Sequence, residues 1–349
     1  MTFQSDIWLL LWIGIVALVA YTSKLKRKVT VLGQKTEQYS LAFAIIAFLP
    51  VFLFVSIGEI RSDGWAYYGS FIKLSSSVSD VFQNWWSIKG PGYTLIEVLI
   101  KDVFGYNFDV YRIIICLIQS IPLVLIFRKY SEDYVMSVFL FIAMGYYSGW
   151  MMNGIRQFVA ACIIFAATPL LIKRKIIPTL LIILLAMTVH VSAMMMLPIV
   201  LVIWFEPWKK GIIVSYVVFV IALFIFVNNT DMLSEEIKSV DNGANVLRIF
   251  ISAIPCVIAF IGRKKIAADN NPLINICINM SVFTTLIFFV ATFTNGIGTG
   301  RLPMYTALYN LILIPYLCKS VFNETVSKNI KIFFILFYIA YFFADLYFV

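Results

Sequence analysis

Charge is scarce in this chain: 13% of its 349 residues are Asp, Glu, Lys or Arg, too few to cover the surface of a soluble domain. Histidine occurs once, at position 190, so no histidine cluster can hold a metal. The five cysteines, Cys116, Cys162, Cys256, Cys277 and Cys318, stand singly in apolar sequence. That dispersal excludes a disulfide framework or a thiolate metal site and leaves them as small packing residues. Also missing are a Gly-rich phosphate loop, a paired carboxylate on a helix face, a long internal repeat, a low-complexity tract and a soluble catalytic domain. No cofactor and no metal is expected.

Apolar sequence is abundant instead: 62% of the residues are hydrophobic, 31 of them Phe, and mean hydropathy is +0.93. The chain reads as an all-α polytopic membrane protein, a single integral domain over 1–349. With about 20 apolar residues per crossing as the ruler, spans fall near 5–22, 40–57, 110–127, 134–151, 156–172, 176–189, 192–205, 211–228, 246–262, 273–293, 303–318 and 331–347. That makes about twelve transmembrane helices. The first stretch ends in Lys24 to Lys28 rather than in a small-residue cleavage site, so it is expected to be retained.

The formal charge of +9 sits in clusters between the apolar runs: Lys24 to Lys28, Arg128-Lys129, Lys173 to Lys175, Lys209-Lys210 and Arg263 to Lys265. Under the positive-inside rule these mark cytoplasmic loops. No contiguous soluble basic surface remains for nucleic acid. Two clusters, Lys173 to Lys175 and Lys209-Lys210, flank a pair of short apolar runs, which forces a hairpin whose outer tip is His190.

The opposite, outer face collects arginines: Arg61, Arg112, Arg156, Arg248 and Arg301. Arg156 lies among apolar residues for a helix length on either side, and an ion at a membrane span points to function. Guanidinium groups grip phosphate through a fork of donors; individually, each could instead snorkel to headgroups or pair with a carboxylate. The glycine-rich turn Asn295 to Gly300 lets backbone approach a ligand ahead of Arg301, with Tyr305 one turn along.

The one large non-membrane segment is an extracytoplasmic loop over 58–109. It carries Arg61, Asp63, Tyr67, Tyr68, Trp85 and Trp86, aromatic rings beside polar groups that could stack on sugars or form an interfacial belt. Within it, 91–104 reads as an amphipathic interfacial helix opened by Pro91 and closed by Gly105, with Leu95, Leu99 and Val103 on one side and Thr94, Glu97 and Lys101 on the other. A second outer loop, near 228–245, holds Asp231, Glu235, Glu236 and Asp241 and reads as solvated.

One candidate chemistry for such a site is glycosyl transfer from a lipid diphosphate. Arginines could neutralise the departing diphosphate without a metal, and a base could take the acceptor hydroxyl proton. His190 is the only imidazole available and Asp63 the carboxylate considered beside it; a lone histidine at a span end can also be a packing residue.

The run Asn153-Gly154-Ile155-Arg156-Gln157-Phe158-Val159-Ala160, the basic turn Lys173 to Lys175 and then His190-Val191-Ser192-Ala193 resemble the central signature of the EpsG family of Wzy-type polysaccharide polymerases. Arg61 to Asp63 followed by Tyr67-Tyr68 resembles the family's first outer motif, and Arg301 to Tyr305 its late one. The resemblance implies a GT-C-like glycosyltransferase bundle with an outer-face cavity. It also implies polymerisation of O-antigen, capsule or exopolysaccharide repeat units carried on undecaprenyl diphosphate, with membrane lipids, a flippase and a chain-length regulator as partners. Carried over by residue, it implies Arg156, Asn153 and Gln157 as diphosphate or glycan contacts and His190 as acceptor base or orienting group. It makes Arg61 with Asp63, and Arg301 with Tyr305, further substrate contacts; Arg248 joins them from topology alone. An O-antigen ligase would share the donor and the arginines. A transporter or flippase of lipid-linked oligosaccharide would need charged residues along a path reaching both faces, and a membrane acyltransferase would not explain so many outer arginines.

Overall fold

The computed structural model describes residues 2–348 apart from 24, 32, 62, 230–242, 295 and 297; for residues 2–5, 34, 35, 229 and 345–348 it describes the backbone alone. The loop acids Asp231, Glu235, Glu236 and Asp241 therefore lie outside the described residues. The chain is almost entirely helical. In order come α1 (Thr2–Thr22), a ribbon of β1 (Lys26–Val31) and β2 (Gln34–Tyr39), α2 (Leu41–Ile57), α3 (Gly64–Ile72), α4 (Val78–Gln83), α5 (Pro91–Phe104), α6 (Phe108–Tyr130), α7 (Tyr134–Ala143), α8 (Ile155–Ala166), α9 (Thr168–Ile172), α10 (Ile176–Val189), α11 (Met196–Val202), α12 (Lys210–Asn229), α13 (Leu247–Ile261), α14 (Arg263–Asp269), α15 (Pro272–Thr292), α16 (Asn310–Ser320) and α17 (Glu324–Phe348).

Four helices among the described residues are long and apolar enough to cross a membrane: Phe108–Tyr130, Lys210–Asn228, Pro272–Thr292 and Glu324–Ala344. Shorter apolar helices complete the bundle, several of them interrupted where the sequence breaks the ladder. The expected run 134–151 stops at Ala143, passes Gly145 at φ +68° and resumes as a π-helical turn over Tyr147–Met151. The run 303–318 opens as two 3-10 turns, Thr299–Tyr305 with Pro303 inside it and Ala307–Tyr309, before α16.

Helix ends follow local chemistry. The Asn107 side chain caps α6, whose last turn carries Arg128 and Lys129, a cationic end suited to the helix dipole. Asp133 caps α7, and Asn271 with Pro272 opens α15. Gly90 at φ +76° and Gly105 at φ +67° bracket α5, where 91–104 was expected.

The ribbon corrects the purely helical reading. Lys28 pairs across it with Glu37 and Val29 with Thr36, and the only apolar alternation in β1 is the short Val29-Thr30-Val31, facing an all-polar stretch of β2 before Tyr39. It packs where the lysine clusters gather: Arg128 Nε donates to the Tyr39 carbonyl at 2.8 Å, Gln38 to the Lys129 carbonyl at 2.9 Å, and Lys331 pairs with Asp133 at 2.8 Å. This is the basic end. At the other end of the antiparallel α2–α6 pair, Arg112 donates to the Val55 and Gly58 carbonyls at 3.0 and 2.6 Å, satisfying the orphan acceptors that close α2. The polar site assembles at that second end, opposite the basic clusters.

Candidate active site

Gly154 is where the central motif turns. Its φ of +81° is strained for any residue with a Cβ, and a Cβ there would stand 3.1 Å from Met304 Cε and 3.7 Å from Arg301 Cδ. The turn points the Gly154 amide at Asp63, whose Oδ2 accepts it at 2.9 Å and also meets Arg301 Nη1 at 3.4 Å. Arg301 Nη2 donates to Asn153 Oδ1 at 3.0 Å, and Gln157 Nε2 donates to the Arg301 carbonyl at 3.2 Å. Asp63, Asn153, Gln157 and Arg301, expected at the site from three separate stretches of chain, thus converge. Asp63 serves Arg301 and the Gly154 amide rather than bonding His190.

Arg156 starts α8 beside this cluster. Its amide donates to the Tyr67 hydroxyl at 3.3 Å, and its guanidinium carbon stands 5.5 Å from the centroids of both Tyr67 and Tyr93. One Nη reaches the Lys89 carbonyl at 3.4 Å, and no carboxylate among the described residues forms an ion pair with it. A cation held over two aromatic faces is positioned without being neutralised.

Glu97 is the residue that the periodicity of α5 misassigned. It is 7% exposed, and it shares its helix face with buried Tyr93 and Ile100, whereas Leu99, Val103 and Phe104 point outward. Burial pushes its carboxyl up to about 7, opposed by Arg156 and by a hydrogen bond from Tyr111. The Tyr111 hydroxyl lies 2.6 Å from that of Tyr93. A Tyr at i−4 and an Ile at i+3 were the signal that this acid faces protein rather than water.

His190 follows α10 at the expected hairpin tip. Its Nδ1 accepts the Ser192 amide at 3.3 Å and lies 2.7 Å from the Ser192 hydroxyl, which is 2.9 Å from the Tyr305 hydroxyl. An Nδ1 that accepts a backbone N–H leaves the proton of the neutral ring on Nε2. Burial first, then Arg156 and Arg301, lowers the imidazole to about 4, so the ring is uncharged near neutrality. With Nδ1 accepting the Ser192 amide, the neutral ring has an N–H at Nε2 rather than a second lone pair. Tyr305 is buried and meets this pair through the Ser192 hydroxyl.

The five arginines divide. Arg61 meets Asp6 at 3.2 Å over the Phe54 ring, with Tyr147 donating to the same carboxylate at 2.6 Å; the cavity beside it, also lined by Arg112, holds about 40 Å³, room for water and not for a sugar. Arg112 closes α2. Arg156 and Arg301 flank the Asp63 turn, and Arg248 lines a cavity of about 400 Å³ shared with Arg301 and Asn153. Among the described residues, no group of three or more His, Cys, Asp or Glu side chains is placed to hold a metal ion.

Apolar helices enclosing a polar, arginine-bearing cluster at one end mark a membrane protein. The EpsG family matches residues 41–349, and the chain belongs to that family. Membership points to a polysaccharide-polymerase type of function in general and to a role in polysaccharide biosynthesis. Comparison with curated proteins and with solved structures returns no match.

Proposed function

We propose that this protein polymerises polysaccharide repeat units at the outer leaflet of a bacterial inner membrane, as a single GT-C-like bundle of about twelve crossings with its site facing the periplasm. The substrate is a repeat unit of O-antigen, capsule or exopolysaccharide on undecaprenyl diphosphate, delivered by a flippase, with a chain-length regulator acting on the product. The hydroxyl oxygen of one lipid-linked unit attacks the anomeric carbon of another; the bond from that carbon to the diphosphate oxygen breaks, and the diphosphate leaves with its charge.

The observation that carries this reading is Arg156, a guanidinium that forms no ion pair with a described carboxylate, its charge felt at His190 together with that of Arg301, which shares Asp63 with the Gly154 amide. The pair receives the diphosphate charge that develops as the bond breaks. The His190 Nε2–H donates to a substrate oxygen, and Glu97, with its carboxyl near 7, takes the hydroxyl proton. An apolar groove of about 770 Å³ between α11 and α12 opens beside Ser192 and Leu302 and gives the polyprenyl tail a place next to the site.

The test is the lipid-linked glycan ladder of a strain lacking this gene, complemented with the wild-type or the Arg156→Ala gene. The wild type restores long polymer, and Arg156→Ala leaves single repeat units on the lipid carrier. Normal chain length from a well-expressed Arg156→Ala protein would defeat the reading. Unligated long polymer in the deletion strain would indicate a ligase, and polymer made from purified lipid-linked repeat excludes a transporter.

A further inference from the structure

Arg301 stands between two compartments. On one side are Asp63 and, beyond it, Arg156 over Tyr67 and Tyr93. On the other is the cavity of about 400 Å³, within the size range of small-ligand sites, roughly 300–1,000 Å³. Its lining is of another character. Asn310, at the start of α16, is 1% exposed, and neither its Nδ2 nor its Oδ1 has a hydrogen-bond partner. A buried primary amide with donor and acceptor both idle inside an apolar bundle is a standing cost unless something fills the cavity it borders. Trp150 lines the same cavity and is held flat by Tyr146, the ring centroids 3.6 Å apart and the planes 15° apart. The π-helical turn over Tyr147–Met151 sets that pair, an arrangement that recurs at functional sites. Arg248 also lines the cavity and forms no ion pair with a described carboxylate.

We infer that this cavity binds the accepting sugar: the Asn310 side chain, whose amide atoms are covered in this structure, turns to bond one sugar hydroxyl as donor and as acceptor, Trp150 provides the stacking face, and Arg248 and Arg301 donate from the rim. This rests on the polymerase reading and adds a division of labour to it. The donor unit brings its diphosphate one bond from the reacting carbon, and so belongs with Arg156. The acceptor enters by the end farthest from its own diphosphate and offers hydroxyls alone, which suit an amide and an indole face. Arg301, touching both compartments, lies where the two substrates meet.

The probe is the oligosaccharide freed by mild acid from the lipid-linked units that accumulate in the deletion strain, which has lost both lipid and diphosphate. Binding is measured by calorimetry to the full-length protein in lipid nanodiscs. The wild type and Arg156→Ala bind it alike, and Asn310→Leu binds at least tenfold more weakly while its thermal unfolding temperature holds or rises, because the replacement removes two idle polar groups without opening a void. Should Asn310→Leu fail to fold, Asn310→Ser, which cannot offer the amide pair, carries the same expectation. Equal binding by the wild type and either folded variant overturns the inference, as does no binding by a wild-type protein that polymerises lipid-linked repeat. A deletion strain that accumulates no lipid-linked single unit overturns the polymerase reading itself, and the acceptor site with it.

Discussion

Asp63 and Arg301 meet through a single oxygen: Asp63 Oδ2 takes Arg301 Nη1 at 3.4 Å while it accepts the Gly154 amide at 2.9 Å. Both side chains remain about one third exposed, so the pair adds little to stability, roughly 0–1 kcal/mol. Its consequence is positional, since it fixes the late arginine against the turn that launches Arg156. Asp63→Asn, which can still accept from Gly154, should leave the thermal unfolding temperature nearly unchanged and reduce polymer length moderately. Arg301→Lys should do more damage, because an ammonium cannot serve Asp63 and Asn153 together as the planar fork does. Glycan ladders of the two variants, normalised to protein level, check the order; Asp63→Asn proving the more damaging would contradict it.

Gly154→Ala tests the turn itself. At φ +81° an alanine is strained by about 1 kcal/mol or more, and the 3.1 Å approach to Met304 Cε adds a smaller cost because that methyl end can yield. Unfolding in detergent should shift by a few degrees, while polymer falls out of proportion, since Asn153 and Arg156 flank the displaced backbone. A shift in stability with full-length polymer would show that the turn does not set the site.

Much of this was legible in the sequence and some was not, for definite reasons. The bounds of α5 were readable because Pro91 and Gly105 have conformations that few other residues accept. The break at His190 was readable from charge, since two lysine clusters flank a pair of short apolar runs, and α10 does end there. Residue partners were not readable. Arg61 and Arg301 look alike in sequence, yet the first is bound to buried Asp6 and the second is shared between Asp63 and Asn153. Only the packing of α1 against α2 and α7 makes that difference. Glu97 was placed on the wet side of its helix because periodicity defines a face and not what the face meets. The ribbon of β1 and β2 has only Val29-Thr30-Val31 as apolar alternation, too short a stretch to announce it.

His190 should act as a donor. Its ring, lowered to about 4, is uncharged through the range in which the cell works, so activity should not step near the usual histidine value of about 6.5. His190→Gln, whose amide can still donate, should retain more polymer than His190→Ala, and Ser192→Ala, which frees Nδ1 from its hydroxyl partner, should be intermediate. A residue acting as base would make the Gln and Ala variants equally inactive. The depressed value also fixes a sign for stability: the contribution is whole above about 6.5 and is lost as pH falls toward 4.

Glu97 has the opposite sign, and a single substitution isolates it. Its carboxyl is raised from 4.5 to about 7, so the folded protein favours the protonated form. The stability this represents is fully present below about 4.5 and is lost as pH rises through 7, an effect on the order of 3 kcal/mol for a group 7% exposed. Glu97→Gln keeps the shape and the bond from Tyr111 but cannot ionise, so its unfolding temperature should stay flat between pH 5 and 8 where the wild type declines. Activity should move the other way. If the carboxylate accepts the hydroxyl proton, the wild-type rate climbs through pH 7 as Glu97 ionises, and the Gln variant loses both the climb and most of the rate, roughly 10²–10⁴-fold. A Gln variant with a flat stability profile but a wild-type rate at pH 8 would leave Glu97 as a buried neighbour of Arg156 and move the search for the base to the substrate itself.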